Sequence, residues 1–285
     1  MEREKLALPN IPPEREDDLH HLEWANSADL ILFMAGNQFM VMEELIGAFR
    51  RESPETEKIF YETLPPGLEL KQILAGGAIF RDQVIDAVPD IYASVSEKAI
   101  DRLEAAGWVE KKHCRLYLHN RLVLMVPAGN PLGIKRVDDL ARPEVRISQP
   151  NPENEDIADH ILGMYRQTGG EAFVARIMEE KKAEGTTLMT TVHHRETPER
   201  ILSGKADVGP VWATEVVHAQ RSGLSVEAVE PGENLDQRHR INYYVCRLMK
   251  APHPAAAERF LDFIVSRPAR MIFADHGFVP PKTPL

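Results

Sequence analysis

The chain has 285 residues, 43% of them hydrophobic and 27% charged, with a formal net charge of −10. This is the balance of a globular rather than a disordered chain, long enough for two ordinary domains or one large one. The acidic excess argues against a nucleic-acid binder, whose affinity rests on clustered Lys and Arg. No run approaches the ~18 apolar residues needed to cross a bilayer, so no membrane insertion is expected.

The only cysteines, Cys114 and Cys246, have no CxxC spacing, which excludes a zinc ribbon or a thioredoxin-type site. Sequence leaves their pairing open, and two separate core thiols are the expectation. The charged start, Met1 to Asp18, has no apolar h-region. The chain as written is therefore expected in the cytoplasm, or in the periplasm if it is a trimmed mature form.

Residues 1–28 read as a flexible arm, with Pro9, Pro12 and Pro13 among mixed charges. Asp29–Met34 is a continuous apolar run of strand length. It stops at Ala35-Gly36-Asn37, and Phe39, Met42, Leu45, Ile46 and Phe49 follow at helical spacing. A second unit repeats the pattern, with a strand at 58–61, a Leu64-Pro65-Pro66-Gly67 turn and a helix at 68–75 ended by Gly76-Gly77. Pro just before a helix fits its tolerance at helix entry.

A strand at 88–94, a helix at 97–106 and a centrally apolar strand at 120–127 come next. The last has the composition of a strand buried on both faces. A short helix begins at Val137, and further elements are expected at 145–148, 157–167, 186–192 and 198–202. The turn Ser203-Gly204-Lys205-Ala206-Asp207-Val208-Gly209 leads to Trp212. A strand at 241–248 and helices from Pro254 close the chain. There is no internal repeat, and the alternation predicts an α/β protein with mostly parallel sheets.

Several fragments, in order, resemble the type II periplasmic solute-binding proteins, especially the molybdate/tungstate-binding branch of ABC transporter receptors. They are Leu32-Phe33-Met34-Ala35-Gly36-Asn37, Leu70-Lys71-Gln72-Ile73-Leu74-Ala75-Gly76-Gly77-Ala78 and Pro89-Asp90-Ile91-Tyr92-Ala93-Ser94. Asn120-Arg121-Leu122-Val123-Leu124, the Ser203–Gly209 turn and Gly277-Phe278 complete the set. The resemblance covers roughly residues 29 to 280. It implies a two-lobed fold, with two mixed, mostly parallel sheets joined by two hinge strands near Asn120 and Tyr244. Lobe I would be 29–119 plus 245–285, and lobe II 120–244. A small anion would be trapped in the crevice between the lobes, and the partner would be an ABC transporter permease.

In that family the oxyanion is held by helix N-terminal N–H groups and Ser hydroxyls, which need no cationic side chain. Here Asn37 stands at the first Ser position, able either to donate from its amide, to cap the helix, or both. Pro66 stands at the second and has neither hydroxyl nor N–H, while Gly67 keeps its N–H. In lobe II the loop holding Asn154 is acidic, with Glu153, Glu155 and Asp156. Those carboxylates either favour the helix dipole or, facing the cleft, invite a metal. His193, His194 and Arg195 precede Thr197-Pro198, read as N-cap and N1 of a helix. Trp212 replaces a family Tyr and offers only an indole N–H, or else packs in the core.

The ligand-binding candidates are therefore Asn37, Gly67, Asn154, His194, Arg195, Thr197 and Trp212. A rival binding reading takes a divalent metal or metal chelate on His193, His194, Glu153 and Glu155. A third makes the chain a cytoplasmic ligand sensor. No P-loop, GxSxG, HExxH or post-strand GxGxxG occurs, so neither an enzyme nor a cofactor is expected.

Overall fold

The computed structural model describes residues 7–95, 97–153, 155, 157–191 and 196–281. The chain divides into two compact units. The first runs up to Leu118, takes Asn242–Asp275 and resumes at Pro280; the second holds His119–Ile241 and His276–Val279. The resemblance implies that 245–285 belongs whole to lobe I. The short return to the second unit has a local cause: His119 and Val279 exchange backbone hydrogen bonds of 2.9 Å, and Phe278 is buried.

In the first unit β1 (Asn10–Ile11), β2 (Leu19–His20), β3 (Leu30–Phe33), α1 (Phe39–Glu52) and β4 (Ile59–Glu62) come in order. They are followed by α2 (Pro66–Ala75), β5 (Ala78–Phe80), β6 (Gln83–Ile85), β7 (Ile91–Ser94), α3 (Glu97–Ala105) and β8 (Arg115–His119). The second unit has β9 (Leu122–Pro127), β10 (Ile147–Gln149), α4 (Ile157–Ala175), α5 (Lys181–Ala183) and β11 (Thr187–Met189). After these come α6 (Glu196–Leu202), β12 (Gly209–Trp212), α7 (Ala213–Arg221) and β13 (Val226–Val229). The chain re-enters the first unit with β14 (Asn242–Arg247), α8 (Pro254–Ile264) and α9 (Arg267–Asp275).

The main sheet of the first unit has the order β2-β4-β3-β7-β14-β8. β3 lies at its centre, parallel to β4 and β7, with Leu32 opposite Ile91 and Leu30 opposite Ile59. Every residue of β3, β4 and β7 is buried, as expected of parallel strands covered on both faces. Each large aliphatic side chain so enclosed contributes roughly 1.5–3 kcal/mol.

The sheets are mixed, as expected, with a larger antiparallel share than the alternation of elements suggests. β14, entered on the chain's return from the second unit, runs antiparallel to β7, and β9 is flanked antiparallel by β12 and β13. β10 and β11 are parallel.

The stretch expected as a flexible arm is also corrected. Its described part supplies β1, parallel to β5, and β2, antiparallel to β4. Ile11 is 2% exposed and Asp18 3%. Strands of two residues are too short to show a period, and each is fixed by a partner far along the chain.

Asp90 knots three elements of this unit together. Its carboxylate accepts the Ile31 N–H at 2.8 Å and the His253 N–H at 2.6 Å, and meets the His253 Nδ1 at 2.9 Å. Asp90 has no exposed surface, and these bonds are what make its burial tolerable.

Cys114 and Cys246 form a disulfide, with Cα atoms 4.5 Å apart. This corrects the expectation of two separate thiols. They are 132 residues apart in sequence, and only the adjacency of β8 and β14 brings them together.

Candidate functional site

In the first unit the chain leaves β3 through Met34 and Ala35 into the turn Gly36–Gln38, which opens α1. It leaves β4 through Thr63 and Leu64 into Pro65, Pro66 and α2. A Cβ on Gly36 would lie 3.0 Å from the Thr63 carbonyl oxygen and 3.2 Å from that of Leu64. The missing side chain thus lets two strand-to-helix turns touch, and Asn37 and Gly67 fall on these adjoining turns.

Asn37 is not the α1 N-cap; that place belongs to Gln38, one residue on. The Asn37 amide donates instead to the Tyr243 hydroxyl, and Tyr243 meets the Tyr117 ring edge-on at 6.4 Å. At α2, Pro65 is the N-cap and Pro66 the first helical residue. The Leu68 and Glu69 N–H groups go to the Pro65 carbonyl, at 2.8 and 3.2 Å. Pro66 has no N–H, so Gly67 is left as the first-turn donor with an open approach. It is exposed, and nothing lies within 4 Å of where its Cβ would sit.

Beneath these turns lies a buried polar group. Gln72 Nε2 donates to Glu62 Oε1 at 3.0 Å, and Tyr117 Oη donates to Gln38 Oε1 at 2.8 Å. Burial pushes the Glu62 carboxyl up to about 8, the Gln72 bond only partly offsetting it. Burial, and then the charge of Glu62, raise the Glu69 carboxyl well above the usual range.

In the second unit the Ala206-Asp207-Val208-Gly209 turn has a clear physical basis. Asp207 takes the Arg146 guanidinium in a two-pronged pair at 2.6 and 2.9 Å, and accepts the Arg146 N–H at 2.8 Å. Burial pushes the Asp207 carboxyl up, but these bonds and the Arg146 charge bring it below its ordinary value. Ala206 is buried, and Gly209 leaves room for Thr197, whose Cγ2 would be 2.4 Å from an added Cβ.

Thr197 is therefore a buried neighbour of β10 and β12, and its hydroxyl shares a 2.9 Å hydrogen bond with Ser148. It lies inside the first turn of α6, which begins at Glu196, and is not the N-cap expected. Arg200, on the same helix, donates to the Leu188 and Met189 carbonyls at 2.9 and 3.0 Å and pairs with Glu196 at 2.7 Å.

Glu155 binds two loops. Its Oε1 accepts the Asn151 N–H at 3.1 Å and the Thr190 hydroxyl, while its carbonyl accepts the Ala158 N–H at the start of α4. Glu153 is exposed. Trp212 is 2% exposed and packs against the His160 ring at 5.7 Å. Burial lowers the His160 pKa, with Asp159 opposing and Arg240 assisting.

Asn154, His193, His194 and Arg195 lie outside the described residues. Among the described residues no group of three or more His, Cys, Asp or Glu side chains is placed to hold a metal. Tyr243, Glu62 and Glu69 were missed by sequence reasoning. Glu62 ends an apolar strand and Glu69 sits in a first turn, where a carboxylate reads as solvated; the one available signal was Gln72, a polar residue on the apolar stripe of α2.

A family described as "Bacterial extracellular solute-binding protein" matches residues 30–279. A sulfate-binding protein of Synechococcus elongatus is 27% identical over 250 residues, spanning 82% of this chain and 69% of its own. The molybdate-binding protein ModA of Mycobacterium bovis is 22% identical over 217 residues, 76% of each chain. Among solved structures, the periplasmic molybdate-binding protein of Azotobacter vinelandii superposes with a TM-score of 0.68. It is 19% identical, and the match covers 89% of this chain and 100% of that one.

Proposed function

The chain belongs to the bacterial extracellular solute-binding proteins, and on that premise we propose that it is the receptor of an ABC-type importer for a small tetrahedral oxyanion. Its fold is the type II periplasmic-binding-protein fold, and the relatives named above are binding proteins, not enzymes. Sulfate and molybdate are the substrate class, since they are what the relatives are named for.

The observation that carries the reading is the contact of two strand-to-helix turns at Gly36, with Gly67 exposed at the start of α2. Such a start presents the Gly67 N–H and the helix's partial positive charge to an anion. Asn37 adds an amide donor positioned by Tyr243. Tungstate, with the same shape and charge as molybdate, belongs to the same class.

The disulfide supports an oxidising, extracytoplasmic place of work, because such bonds are rare where thiols are kept reduced. A membrane permease would then be the partner that receives the anion.

A thermal-shift panel tests the assignment, using exhaustively dialysed protein with molybdate, tungstate, sulfate, phosphate, divalent metals and small carboxylates. A ligand binding only the folded state adds about 4 kcal/mol at a thousandfold excess over Kd. A shift with sulfate or molybdate is the expected outcome. Shifts confined to metals or carboxylates would overturn the oxyanion reading.

A further inference from the structure

Four buried oxygen atoms under the α2 turn have no side-chain hydrogen-bond partner among the described residues: Glu62 Oε2, both carboxyl oxygens of Glu69, and Gln72 Oε1. The Leu64 backbone N–H favours the Glu69 carboxylate, a smaller influence than burial and the charge of Glu62. Both glutamates have no exposed surface, and Gln72 has 1%. Among the described residues the only side-chain donor to the pair is Gln72 Nε2, on Glu62. Two carboxylates so enclosed cannot both be ionised, since each charge would lack both solvent and a counter-ion. A proton on either one converts an acceptor into a donor, and that donor has orphan oxygens within its own cluster to serve.

The described residues around the pair offer it no cation. The charged and titratable groups acting on Glu69 from neighbouring elements are Glu62 on β4 and Asp18 ahead of β2, and Glu69 in turn acts on Tyr117 of β8. Asp18 is engaged by Arg15 at 3.1 Å and by Thr63. His20 lies beyond Asp18 and stacks on Tyr61. Among the described residues no Lys or Arg enters the electrostatic balance of either glutamate.

Glu69 occupies the first turn of the helix whose start is exposed at Gly67. An ionised carboxylate there cancels the partial positive charge that the helix end would offer an anion. We propose that Glu62 and Glu69 form a proton-binding site coupled to the oxyanion site, so that the receptor takes up its dianion together with a proton. This rests on the receptor reading above. Coupling is reciprocal: a bound dianion strengthens proton binding by the factor with which the proton strengthens dianion binding.

The test is calorimetric titration of molybdate and of sulfate from about pH 6.5 to 9.5, in paired buffers of different ionisation enthalpy. Neither anion titrates in that range, so any proton taken up belongs to the protein. The expected result is net proton uptake on binding, and a Kd about five- to hundredfold weaker at the alkaline end. Glu62→Gln and Glu69→Gln, singly and together, should remove both effects. Equal affinity across the range with no buffer dependence would overturn the coupling.

The infrared carboxylic-acid band of the unliganded protein provides a readout that needs no anion. A band present near pH 7, weakened by pH 9.5 and diminished in Glu62→Gln supports the proton site. Its absence overturns the site. Failure of every anion to bind while the band is present would sink the receptor reading and leave the proton site standing.

Discussion

The Cβ that Gly36 lacks would sit 3.0 Å from the carbonyl oxygen of Thr63, so the distance between two strand-to-helix turns is set by a hydrogen atom. Gly36 does not have a positive φ, and alanine meets no backbone strain there. The cost of Gly36→Ala is the contact alone. It should lower stability by about 1–3 kcal/mol, as overpacking does. By spreading the turns that carry Asn37 and Gly67, it should also weaken oxyanion binding about tenfold or more. Urea unfolding and titration calorimetry on the same preparation check both numbers.

Asn37 and Tyr243 should behave as a unit. Asn37→Ala is expected to weaken anion binding by about tenfold, the worth of one good hydrogen bond with its geometry. Tyr243→Phe keeps the buried ring and removes only the hydroxyl that orients the Asn37 amide, so a smaller loss of affinity is expected. A double-mutant cycle should show a coupling of about 0.5 kcal/mol or more. Additive losses would mean that the two residues act separately.

The Glu62 carboxyl, at about 8 in the folded chain, lies far above its value when unfolded. The folded state therefore holds a proton that the unfolded state has released, and stability falls as pH rises from the ordinary carboxylate range through about 8. At most, the slope is about 1.4 kcal/mol per pH unit. Between pH 6 and 9 the wild-type chain should lose about 1–3 kcal/mol more than Glu62→Gln does. Chemical denaturation at stepped pH is the measurement.

Replacing Cys114 and Cys246 together by alanine, or reducing them, should cost about 2–5 kcal/mol of unfolding free energy. The loss should show as a lower denaturation midpoint. Anion affinity measured well below that midpoint should change little, because neither sulfur lies on the turns that carry Asn37 and Gly67.

Much of the framework was legible because apolar runs of strand length end at Gly or Pro. The run 29–34 became β3, 120–127 became β9, 241–248 became β14, and the helix after Pro65-Pro66 became α2. The reading failed where pairing rather than pattern decides. β1 and β2 are two residues each, and the disulfide joins residues that only the order of the main sheet makes neighbours. It failed again where charge is buried, since Glu62 and Glu69 look like solvated residues until the walls around them are known. The two strand-to-helix turns on which Asn37 and Gly67 lie were legible from the apolar runs before them and the helical spacing after. The tyrosine that orients Asn37 comes from more than two hundred residues away and left no local mark.

Cys114 precedes the first passage of the chain into the second unit, and Cys246 follows its return after Ile241. The long segment between them is therefore a covalent ring, of which the disulfide is the clasp. A protease cutting once inside 119–241 would open the ring without freeing either piece. Such a nicked chain would run as a single species until reduced, and both halves would remain at an effective concentration set by the clasp rather than by dilution. Backbone continuity through the second unit is thus duplicated by the disulfide.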